Sequence, residues 1–581
     1  MSTSSLLRFS VLILALMHGR LAVSEPAVGR YRITGVVVSS TSGSPVQHCH
    51  LTAALNARAR GAGNRRFAGN TGATQQSFDA DEHGRFSILL PSAGSWHLSA
   101  SAHGFVTQEY DEHQQFSSAV VLTPEAPTID LRFQLSPEAV VTGTVLDEAG
   151  EPVRNARLAL WTVPQRGPDT QPQPIAIRAM TQTDDRGMYE FANVVPSNYR
   201  ITLQAQPWYA AAAQRRFGPP TQDAPPQLDP SLDVAYPLTW FPGVDDPSLA
   251  ETVSLNAGDI RQADFHLVPI PSIHLRVVSP LTEQSNGRVN QIFPVVARIG
   301  PGGNNFGFTP VTMSVDSRGQ IDMGGLAPGL YQIRMQGQGM DNRASSLVEV
   351  SAGSTRTLEV GTSPDMANIA FHFDGIEDLQ PDENPTQVQL IDTETGDIIS
   401  SPNAEFGGGA ATLRQRRQPA TPAQDRTIQA PPGTYEVVLR SRQDVYLTGI
   451  TMPSAEVKGR TVKVHAGDSI MTLHVASGRA TMSGIATLAG KPVSGAMILL
   501  VPASLGNTNG LTILRRDQTN TDGSFELSDI IPGQYILTAI DRGWHINWND
   551  PSTLRNYLLH GTPVNLTPSA TVKQKVEAQL P

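Results

Sequence analysis

His48, Cys49 and His50 are adjacent residues whose types could bind a metal ion, because imidazole nitrogens and thiolates are ligands that zinc prefers. Successive side chains on a β-strand point to opposite faces, so Cys49 would face away from both histidines. Cys49 also takes the place that Ala156 and Ala496 occupy in two later segments of similar sequence. We therefore predict that Cys49 is a small buried residue and that no metal centre forms here. No cofactor is predicted.

The sequence lacks the patterns of the common hydrolytic sites. None of its 14 histidines is followed by glutamate three residues later, so the His-x-x-Glu pair of a zinc carboxypeptidase and the His-Glu-x-x-His motif are absent. No Gly-x-Ser-x-Gly elbow occurs either. The acidic segments Asp79–Glu82 and Asp184–Asp185 could bind calcium, but Asp-x-x-Gly is also what a tight turn requires. We predict that the chain is not an enzyme and leave calcium as an alternative.

Paired aromatic residues are the strongest candidates for ligand binding, because aromatic rings stack on sugar rings and also anchor protein interfaces. Three such pairs interrupt the repeated segments described below: Trp208 with Tyr209, Trp240 with Phe241, and Trp544 with Trp548. The first two pairs flank a stretch rich in proline and glutamine, Phe217 to Pro230, which predicts a long loop at one end of a domain. The alternative is that these rings pack the surrounding segment against its own domain or the next.

Two phrases that recur in a fixed order form the framework around these residues. The opening phrase reads TGTVLDEAGEPVRNARLALW from Thr142 and SGIATLAGKPVSGAMILLV from Ser483, with a further copy from Thr34. Its β-branched residues, Gly-x-Pro-Val turn and second apolar run predict a β-hairpin. The closing phrase reads TDDRGMYEFANVVPSNYRITLQA from Thr183 and TNTDGSFELSDIIPGQYILTAI from Thr519, and it predicts a second hairpin. Repeats of this length indicate a tandem array of small β domains.

Each closing phrase ends on a proline, a small turn and a tyrosine. The copies are Tyr199, Tyr331, Tyr435 and Tyr535, with Trp96 in the equivalent position early in the chain. We expect this ring to pack over the edge of a sandwich while its polar atom reaches the backbone. A terminal strand then closes each domain, as at Leu131 to Leu135. A short helix is expected at Pro551 to His560.

These elements predict a signal peptide followed by five β-sandwich domains. The predicted bounds are 1–24 for the signal peptide and 25–137, 138–270, 271–362, 363–478 and 479–581 for the domains. The third and fourth domains have degenerate opening phrases.

The phrases resemble the carboxypeptidase regulatory-like domain, a transthyretin-like (prealbumin-like) sandwich that is classed with the carbohydrate-binding-like folds. The second and fifth domains meet its pattern of Gly-x-Pro-hydrophobic, Asp-x-x-Gly, Phe and Pro-Gly-x-Tyr, and the first is a fair match. The segments Tyr236 to Leu267 and Asn547 to Leu580 resemble extensions seen in secreted bacterial tandem proteins of this type. The resemblance implies an all-β tandem array of about five transthyretin-like or Ig-like sandwiches. It leaves the ligand open, since such modules accompany peptidases, adhesins and outer-membrane receptors.

Composition excludes several classes of protein. A net charge of -10 and a pI near 5.8 argue against nucleic acid as a partner, because phosphate binding needs clustered lysine and arginine. Cys49 is the only cysteine, so no intramolecular disulfide can form.

The N-terminal segment predicts a cleaved secretion signal, because it contains Arg8, the apolar stretch Phe9 to Met17 and small residues before Glu25. That apolar stretch is shorter than the roughly 20 residues that span a bilayer, so we expect no transmembrane segment after cleavage.

Together these observations predict a secreted or periplasmic, non-catalytic binding module of a bacterial envelope. The leading hypothesis is carbohydrate binding through the loop aromatics Trp208, Tyr209, Trp240, Phe241, Trp544 and Trp548. The partner would be a polysaccharide or an envelope protein. A protein-interaction, adhesin or scaffold role is the alternative, and an accessory role in a peptidase system is a distant one.

Overall fold

The computed structural model describes residues 31–55, 75–163, 176–211, 229–278, 293–303, 305–309, 311–315, 320–336, 345–351, 356–359, 365–375, 386–400, 427–441, 444–503, 514–548 and 550–581. The five largest buried apolar clusters of these residues follow one another along the chain, within 33–135, 139–267, 275–358, 367–475 and 480–578. We call the units around them sandwich 1 to sandwich 5, in chain order. The predicted signal peptide lies outside the described residues. The all-β tandem fold is confirmed.

Sandwich 1 has two sheets, of strand order β4-β1-β8 and β3-β2-β5-β6, with β7 also paired to β5. Its strands are β1 (Tyr31–Ser39), β2 (His50–Leu55), β3 (Gln75–Asp79), β4 (Arg85–Leu90), β5 (Gly94–Ser101), β6 (Gln108–Glu109), β7 (Val120–Leu122) and β8 (Thr128–Leu135).

Sandwich 2 has sheets of order β12-β9-β17 and β11-β10-β13-β15, with β18 on β9 and β16 on β13. Its strands are β9 (Ala139–Leu146), β10 (Arg157–Thr162), β11 (Ile177–Gln182), β12 (Met188–Val194), β13 (Ser197–Gln204), β14 (Val234–Ala235), β15 (Thr239–Trp240), β16 (Val253–Leu255), β17 (Ile260–Gln262), β18 (Phe265–His266) and β19 (Ile270–Pro271). A 3₁₀ turn spans Pro247–Leu249.

Sandwiches 3 and 4 each consist of two sheets. Sandwich 3 contains β20 (Ile273–Val278), β21 (Phe293–Ile299), β22 (Asn305–Phe308), β23 (Thr312–Val315), β24 (Gln320–Leu326), β25 (Gly329–Gln336), β26 (Ser345–Val350) and β27 (Arg356–Glu359), with a 3₁₀ turn at Pro301–Gly303. Sandwich 4 contains β28 (Ala367–Asp374), β29 (Gln387–Asp392), β30 (Ile398–Ser400), β31 (Thr427–Ala430), β32 (Gly433–Arg440), β33 (Val445–Thr451), β34 (Glu456–Lys458), β35 (Thr461–Val464) and β36 (Gly467–Ser477).

Sandwich 5 carries the helix that the sequence predicted, α1 (Pro551–Leu559), which begins after an Asp550 cap and is preceded by a 3₁₀ turn at Gly543–His545. Its strands are β37 (Ala480–Leu488), β38 (Lys491–Pro492), β39 (Met497–Pro502), β40 (Arg515–Gln518), β41 (Ser524–Ile530), β42 (Gly533–Ile540), β43 (Thr562–Leu566) and β44 (Thr571–Gln579).

All five sandwiches share one strand pairing. The first strand (β1, β9, β20, β28 or β37) pairs in parallel with the last strand or strands (β8, β17 with β18, β27, β36 or β44). It also pairs antiparallel with the strand (β4, β12, β24, β31 or β41) that directly precedes the one with the tyrosine or Trp96. The second strand pairs antiparallel with the strand that carries the tyrosine or Trp96. Sandwiches 3 and 4 therefore keep the full framework although their opening phrases are degenerate.

The tyrosine at the end of the closing phrase makes the predicted backbone contact in each copy. The hydroxyl donates to the carbonyl oxygen four residues earlier, at 2.6 Å for Tyr199, 2.8 Å for Tyr331, 2.8 Å for Tyr435 and 2.6 Å for Tyr535. Trp96 uses its indole nitrogen for the same contact, to Ser92 at 3.2 Å. The ring is buried in the core, and the bond satisfies its one polar group.

The glycine in the opening phrase allows the first strand to lie very close to the backbone of the last one. A Cβ on Gly143 would lie 2.0 Å from the Ala263 carbonyl oxygen, and one on Gly484 would lie 1.8 Å from that of Gln574. No side chain fits at such a distance, so the repeat requires glycine here.

Candidate functional site

Trp240 lies on the outer face of sandwich 2, where the segment after β13 folds back over the sheet. Its ring is only 5% exposed. It packs in an apolar cluster with Ala159, Trp161, Leu238 and Ala250. Phe241 is half-buried and meets Phe265 edge-on, with 5.7 Å between ring centroids. Both aromatics therefore contact their own sandwich in this structure, which is the alternative that the sequence left open.

Trp208 lies in the loop that follows β13, and its ring is 71% exposed. It meets the ring of Tyr209 edge-on, with 5.9 Å between centroids. The Tyr209 hydroxyl donates to one carboxylate oxygen of Glu148, and the Tyr236 hydroxyl donates to the other at 2.8 Å. An exposed indole thus contacts one of two phenols that donate to the same carboxylate. We call Glu148, Trp208, Tyr209 and Tyr236 the indole–carboxylate surface.

Glu148 is ionised at neutral pH on this surface. Partial burial raises its pKa, but hydrogen bonds from Tyr209, from its own backbone and from Tyr236 outweigh that effect and hold the pKa below its ordinary value. Burial and the bond to Glu148 raise the pKa of Tyr209 to about 12 and also raise that of Tyr236. Each carboxylate oxygen can accept a further hydrogen bond. The surface can therefore stack on a ring and accept hydrogen bonds from its hydroxyl or amine substituents.

Trp544 covers the outer face of sandwich 5, as Trp240 covers that of sandwich 2. Its ring is 5% exposed, and its indole nitrogen donates to the Gly495 carbonyl at 2.9 Å. It packs in an apolar cluster with Met497, Leu499, Val501, Leu514, Ile540 and Leu554 of the same sandwich. A buried Trp544 therefore also contacts protein in this structure.

Sandwich 1 docks on this covered face of sandwich 5. The His113 ring stacks on Trp544 with 5.4 Å between centroids and 8° between planes, and the Phe116 ring lies 5.7 Å away. The Arg516 guanidinium lies 3.7 Å from the centroid of Trp548 and 4.9 Å from that of Phe116. The first and last sandwiches of the chain are therefore in direct contact.

Gln518 stands at the centre of this contact and is only 1% exposed. Its side-chain nitrogen donates to the Asp111 carbonyl and, at 2.8 Å, to Ser118 Oγ, while its oxygen lies 3.2 Å from His113 Nδ1. Gln114 bridges Arg516, Trp548 and the backbone of Trp544. We call residues 111–121 of sandwich 1, with 516–521, Trp544 and Trp548 of sandwich 5, the clasp.

Hydrogen bonds that involve backbone groups extend the clasp along 118–121. Ser118 Oγ donates to the Thr519 carbonyl at 2.8 Å, and the Thr521 N–H donates to the Ala119 carbonyl at 3.1 Å. The Ala119 N–H in turn donates to Asn520 Oδ1 at 2.9 Å. The sequence identified Trp544 and Trp548 as candidate binding residues. Their partners in residues 111–121 could not be predicted, because that segment belongs to no repeated phrase.

The clusters that could have held a metal have other roles. Cys49 is fully buried, and burial raises the pKa of its thiol to about 11. His50 lies on the opposite side of the strand and pairs with Asp79 at 2.9 Å. In the acidic turns, one oxygen of Asp81 and one of Asp184 each accept two backbone N–H groups of their own turn. Within the described residues no group of three or more His, Cys, Asp or Glu side chains is placed to hold a metal ion.

One arrangement at the junction of sandwiches 2 and 3 superficially resembles a catalytic triad. The His274 ring lies between Asp233, at 2.8 Å from Nε2, and Asp322, at 2.7 Å from Nδ1. The hydrogen bond to Asp322 is the largest of the effects that raise the pKa of His274, to about 9. The neighbouring Ser272 hydroxyl donates to Asp233 and not to the imidazole. His274 therefore joins Asp233 of sandwich 2 to Asp322 of sandwich 3 as a cation.

Comparisons with known proteins find one family model and several solved structures of low identity. A family model described as "Dioxygenase" matches residues 132–218. No curated protein matches the sequence. Similar solved structures include the Bacillus anthracis TIE protein, at 11% identity over 74% of this chain and 69% of that chain, with a TM-score of 0.14. The minor pilin GBS52 of Streptococcus agalactiae is 10% identical over 44% of this chain and 100% of its own, with a TM-score of 0.20. The shaft pilin SpaA from Lactobacillus rhamnosus GG is 9% identical over 42% and 97%, with a TM-score of 0.18.

The class that the fold defines is a tandem array of transthyretin-like or Ig-like β-sandwich domains. The structural likenesses, at these identities and TM-scores, carry no argument about activity. The family match covers the end of sandwich 1 and the first part of sandwich 2, and residues 132–218 contain neither histidine nor cysteine. Iron sites of oxygenases commonly use histidine ligands, so the donor set of that stretch does not fit such a site. Among the described residues, no helix is long and apolar enough to cross a membrane.

Proposed function

We propose that the protein is a secreted, non-catalytic binding protein of the bacterial envelope, built from carboxypeptidase regulatory-like modules, whose ligand is a carbohydrate. The observation that carries this proposal is the indole–carboxylate surface. Trp208 offers an exposed ring face, and Glu148 offers oriented acceptors beside it. Stacking on a sugar ring together with hydrogen bonds to its substituents is the chemistry that such a pair supplies. The predicted signal peptide at 1–24 supports secretion.

A glycan array followed by titration of the best glycan tests the carbohydrate hypothesis. Trp208→Ala should weaken binding by about 30-fold or more, because a tryptophan at the centre of a binding site typically contributes about 2 kcal/mol. Leu249→Ala is the matched control, since Leu249 is a similarly exposed apolar residue of the same sandwich, 68% exposed. Equal loss in both variants, or binding that survives Trp208→Ala, would contradict the assignment of this surface.

A protein-interaction or scaffold role is the second candidate, and a specific observation favours it. Trp240 and Trp544 both bury their rings against protein, and Trp548 lies in the contact between sandwiches 1 and 5. Trp208 could therefore anchor a protein partner by the same means. Binding of one envelope protein that is lost in Trp208→Ala, with no signal on the glycan array, would favour this second function.

A further inference from the structure

Sandwiches 1, 2 and 5 carry an aromatic residue at the same place, just beyond the strand that holds the tyrosine or Trp96. Phe105, Trp208 and Trp544 each follow that ring by nine residues. The register of the strands agrees, since β5, β13 and β42 pair with the second strand of their sandwich at equivalent residues. The three positions differ in their surroundings. Trp208 is exposed, Trp544 is covered by sandwich 1, and Phe105 lines a cavity.

In sandwich 5 this place receives a ring and a carboxylate. The His113 ring stacks on Trp544, and a carboxylate oxygen of Asp111 lies 2.5 Å from where a Cβ on Gly495 would be. Gly495 in turn accepts the indole N–H of Trp544. The two groups are neighbours, with 3.9 Å between His113 Nδ1 and Asp111 Oδ1. The repeat can therefore bind a ring that has an acidic group beside it.

At the same place sandwich 1 has a cavity of about 390 Å³, which is within the usual range for a small-molecule site. Phe105 is half-buried and lines it together with His48 and His103. His48 occupies the position that Gly495 has in sandwich 5. None of the described residues that line the cavity is acidic, although the whole chain has a net charge of -10. An anionic ligand would meet no carboxylate on this wall.

The two imidazoles of the cavity have no protein partner. Neither His48 nor His103 makes a hydrogen bond or an ion pair with any residue that the structure describes, whereas the neighbouring His50 pairs with Asp79. Both imidazoles are exposed. They can therefore donate to a ligand, and in the protonated form they do so as cations.

Serine hydroxyls and a guanidinium add further donors. Ser42 Oγ accepts the Ser44 N–H at 3.3 Å, so its own proton remains for a ligand. The Ser44 hydroxyl has no partner within the described parts of the chain. The Arg132 guanidinium lies against the turn between these serines, where its nitrogen would be 3.4 Å from a Cβ on Gly43. The wall is thus rich in donors and carries positive charge at its edge.

We propose that this cavity binds the uronic acid unit of an acidic saccharide. The sugar ring lies on Phe105, and its carboxylate accepts hydrogen bonds from His48 and His103. The sugar hydroxyls accept from Ser42 and Ser44. This arrangement repeats the ring and neighbouring carboxylate that sandwich 5 receives at the same place. The saccharide class rests on the proposed function, but the site is separate from the indole–carboxylate surface of sandwich 2.

Isothermal titration with trigalacturonate, beside its methyl ester, tests the proposal. The two probes have the same rings, and only the acid carries carboxylates. The titrations use the full-length chain with Trp208→Ala, so that the indole–carboxylate surface does not contribute, at mildly acidic pH. The acid should bind at least about tenfold more tightly than the ester, because charge-assisted hydrogen bonds form only with the acid.

The matched variant gives the cavity the residues that sandwich 2 carries at these places. His48→Asn/His103→Gln introduces the types of Asn155 and Gln206. Asn155 has a φ of 55° and His48 one of 52°, so the backbone conformation suits the new residue. Binding of trigalacturonate should fall about tenfold, to the level of the ester. His83→Gln, at an exposed position of the same sandwich outside the cavity, should bind the acid as before.

Three outcomes would overturn the proposal. The first is equal affinity for the acid and the ester, and the second is undiminished binding of the acid in a folded double variant. The third is binding of a hexaglutamate peptide without binding of trigalacturonate, which would identify an acidic peptide as the ligand. If the double variant unfolds, His103→Gln alone gives the same test. A glycan-array signal that depends on Trp208 is measured separately, so this proposal and the proposed function can fail independently.

Discussion

Sandwich 2 and sandwich 5 are two copies of one repeat that differ in what covers their second sheet. Thr183 and Thr519 make the same contacts, each accepting from an alanine N–H and donating to a valine carbonyl. The residue before each is a glutamine in register with the start of the second strand. Gln182 is exposed, whereas Gln518 is buried under sandwich 1. The repeat therefore sets the framework, and the residues on its edge decide whether that edge stays free.

The largest expected effect comes from removing the tryptophan that covers each outer face. Trp240→Ala and Trp544→Ala should each lower the free energy of unfolding of their own sandwich by about 3–5 kcal/mol, because both rings are buried in apolar clusters. Only Trp544→Ala should also expand the chain, since only Trp544 contacts sandwich 1. Denaturant unfolding and small-angle scattering measure the two effects. A similar expansion in Trp240→Ala would show that the two tryptophans do not differ in their contacts with other sandwiches.

The two glutamines give the sharpest matched pair. Gln518→Ala leaves buried polar groups of Asp111 and Ser118 without this partner and should cost about 1–3 kcal/mol. Gln182→Ala changes an exposed side chain and should cost less than about 0.5 kcal/mol. Chemical denaturation of the two variants beside wild type measures both values. Equal costs would show that the clasp does not persist in solution.

The junction of sandwich 2 with sandwich 3 should respond to pH through His274. Its pKa is raised to about 9 in the folded protein from about 6.5, so its stabilising contribution is complete below pH 6.5 and is lost as the pH rises through 9. The difference in melting temperature between wild type and His274→Gln should therefore be largest near pH 6 and should shrink by pH 10. His372→Gln, at an exposed strand position of sandwich 4, is the control. A difference that does not change with pH would contradict a charged His274.

The smallest effect on stability should come from Trp208. Its ring is 71% exposed, so Trp208→Ala should change the free energy of unfolding by less than about 0.5 kcal/mol. The same variant is the one expected to lose ligand binding. A melting curve that matches wild type, beside a lost binding signal, would separate Trp208 from the structural tryptophans Trp240 and Trp544. A clearly lower free energy of unfolding in Trp208→Ala would show that Trp208 is a structural tryptophan as well.

The sequence predicted the framework because the framework repeats. The Gly-x-Pro-Val turns, the tyrosine contact to the backbone and the helix at Pro551 each follow from local residue chemistry, and Cys49 could be predicted as buried by comparing copies. The clasp could not be predicted, because it joins segments about 400 residues apart that obey no local rule. Arg516 and Gln518 occupy the positions that Met180 and Gln182 have in sandwich 2. The residue types at these positions do not identify His113 or Phe116 as partners.

The most direct test of the clasp is amide hydrogen exchange in the full-length protein. The N–H groups of Ala119 and Thr521 each donate across the contact between sandwiches 1 and 5. Both amides should be protected in wild type and in Gln182→Glu, and both should exchange rapidly in Arg516→Ala/Gln518→Glu while the core strands of sandwiches 1 and 5 stay protected. Exchange of Ala119 and Thr521 that is equally fast in all three proteins would show that the first and last sandwiches do not touch.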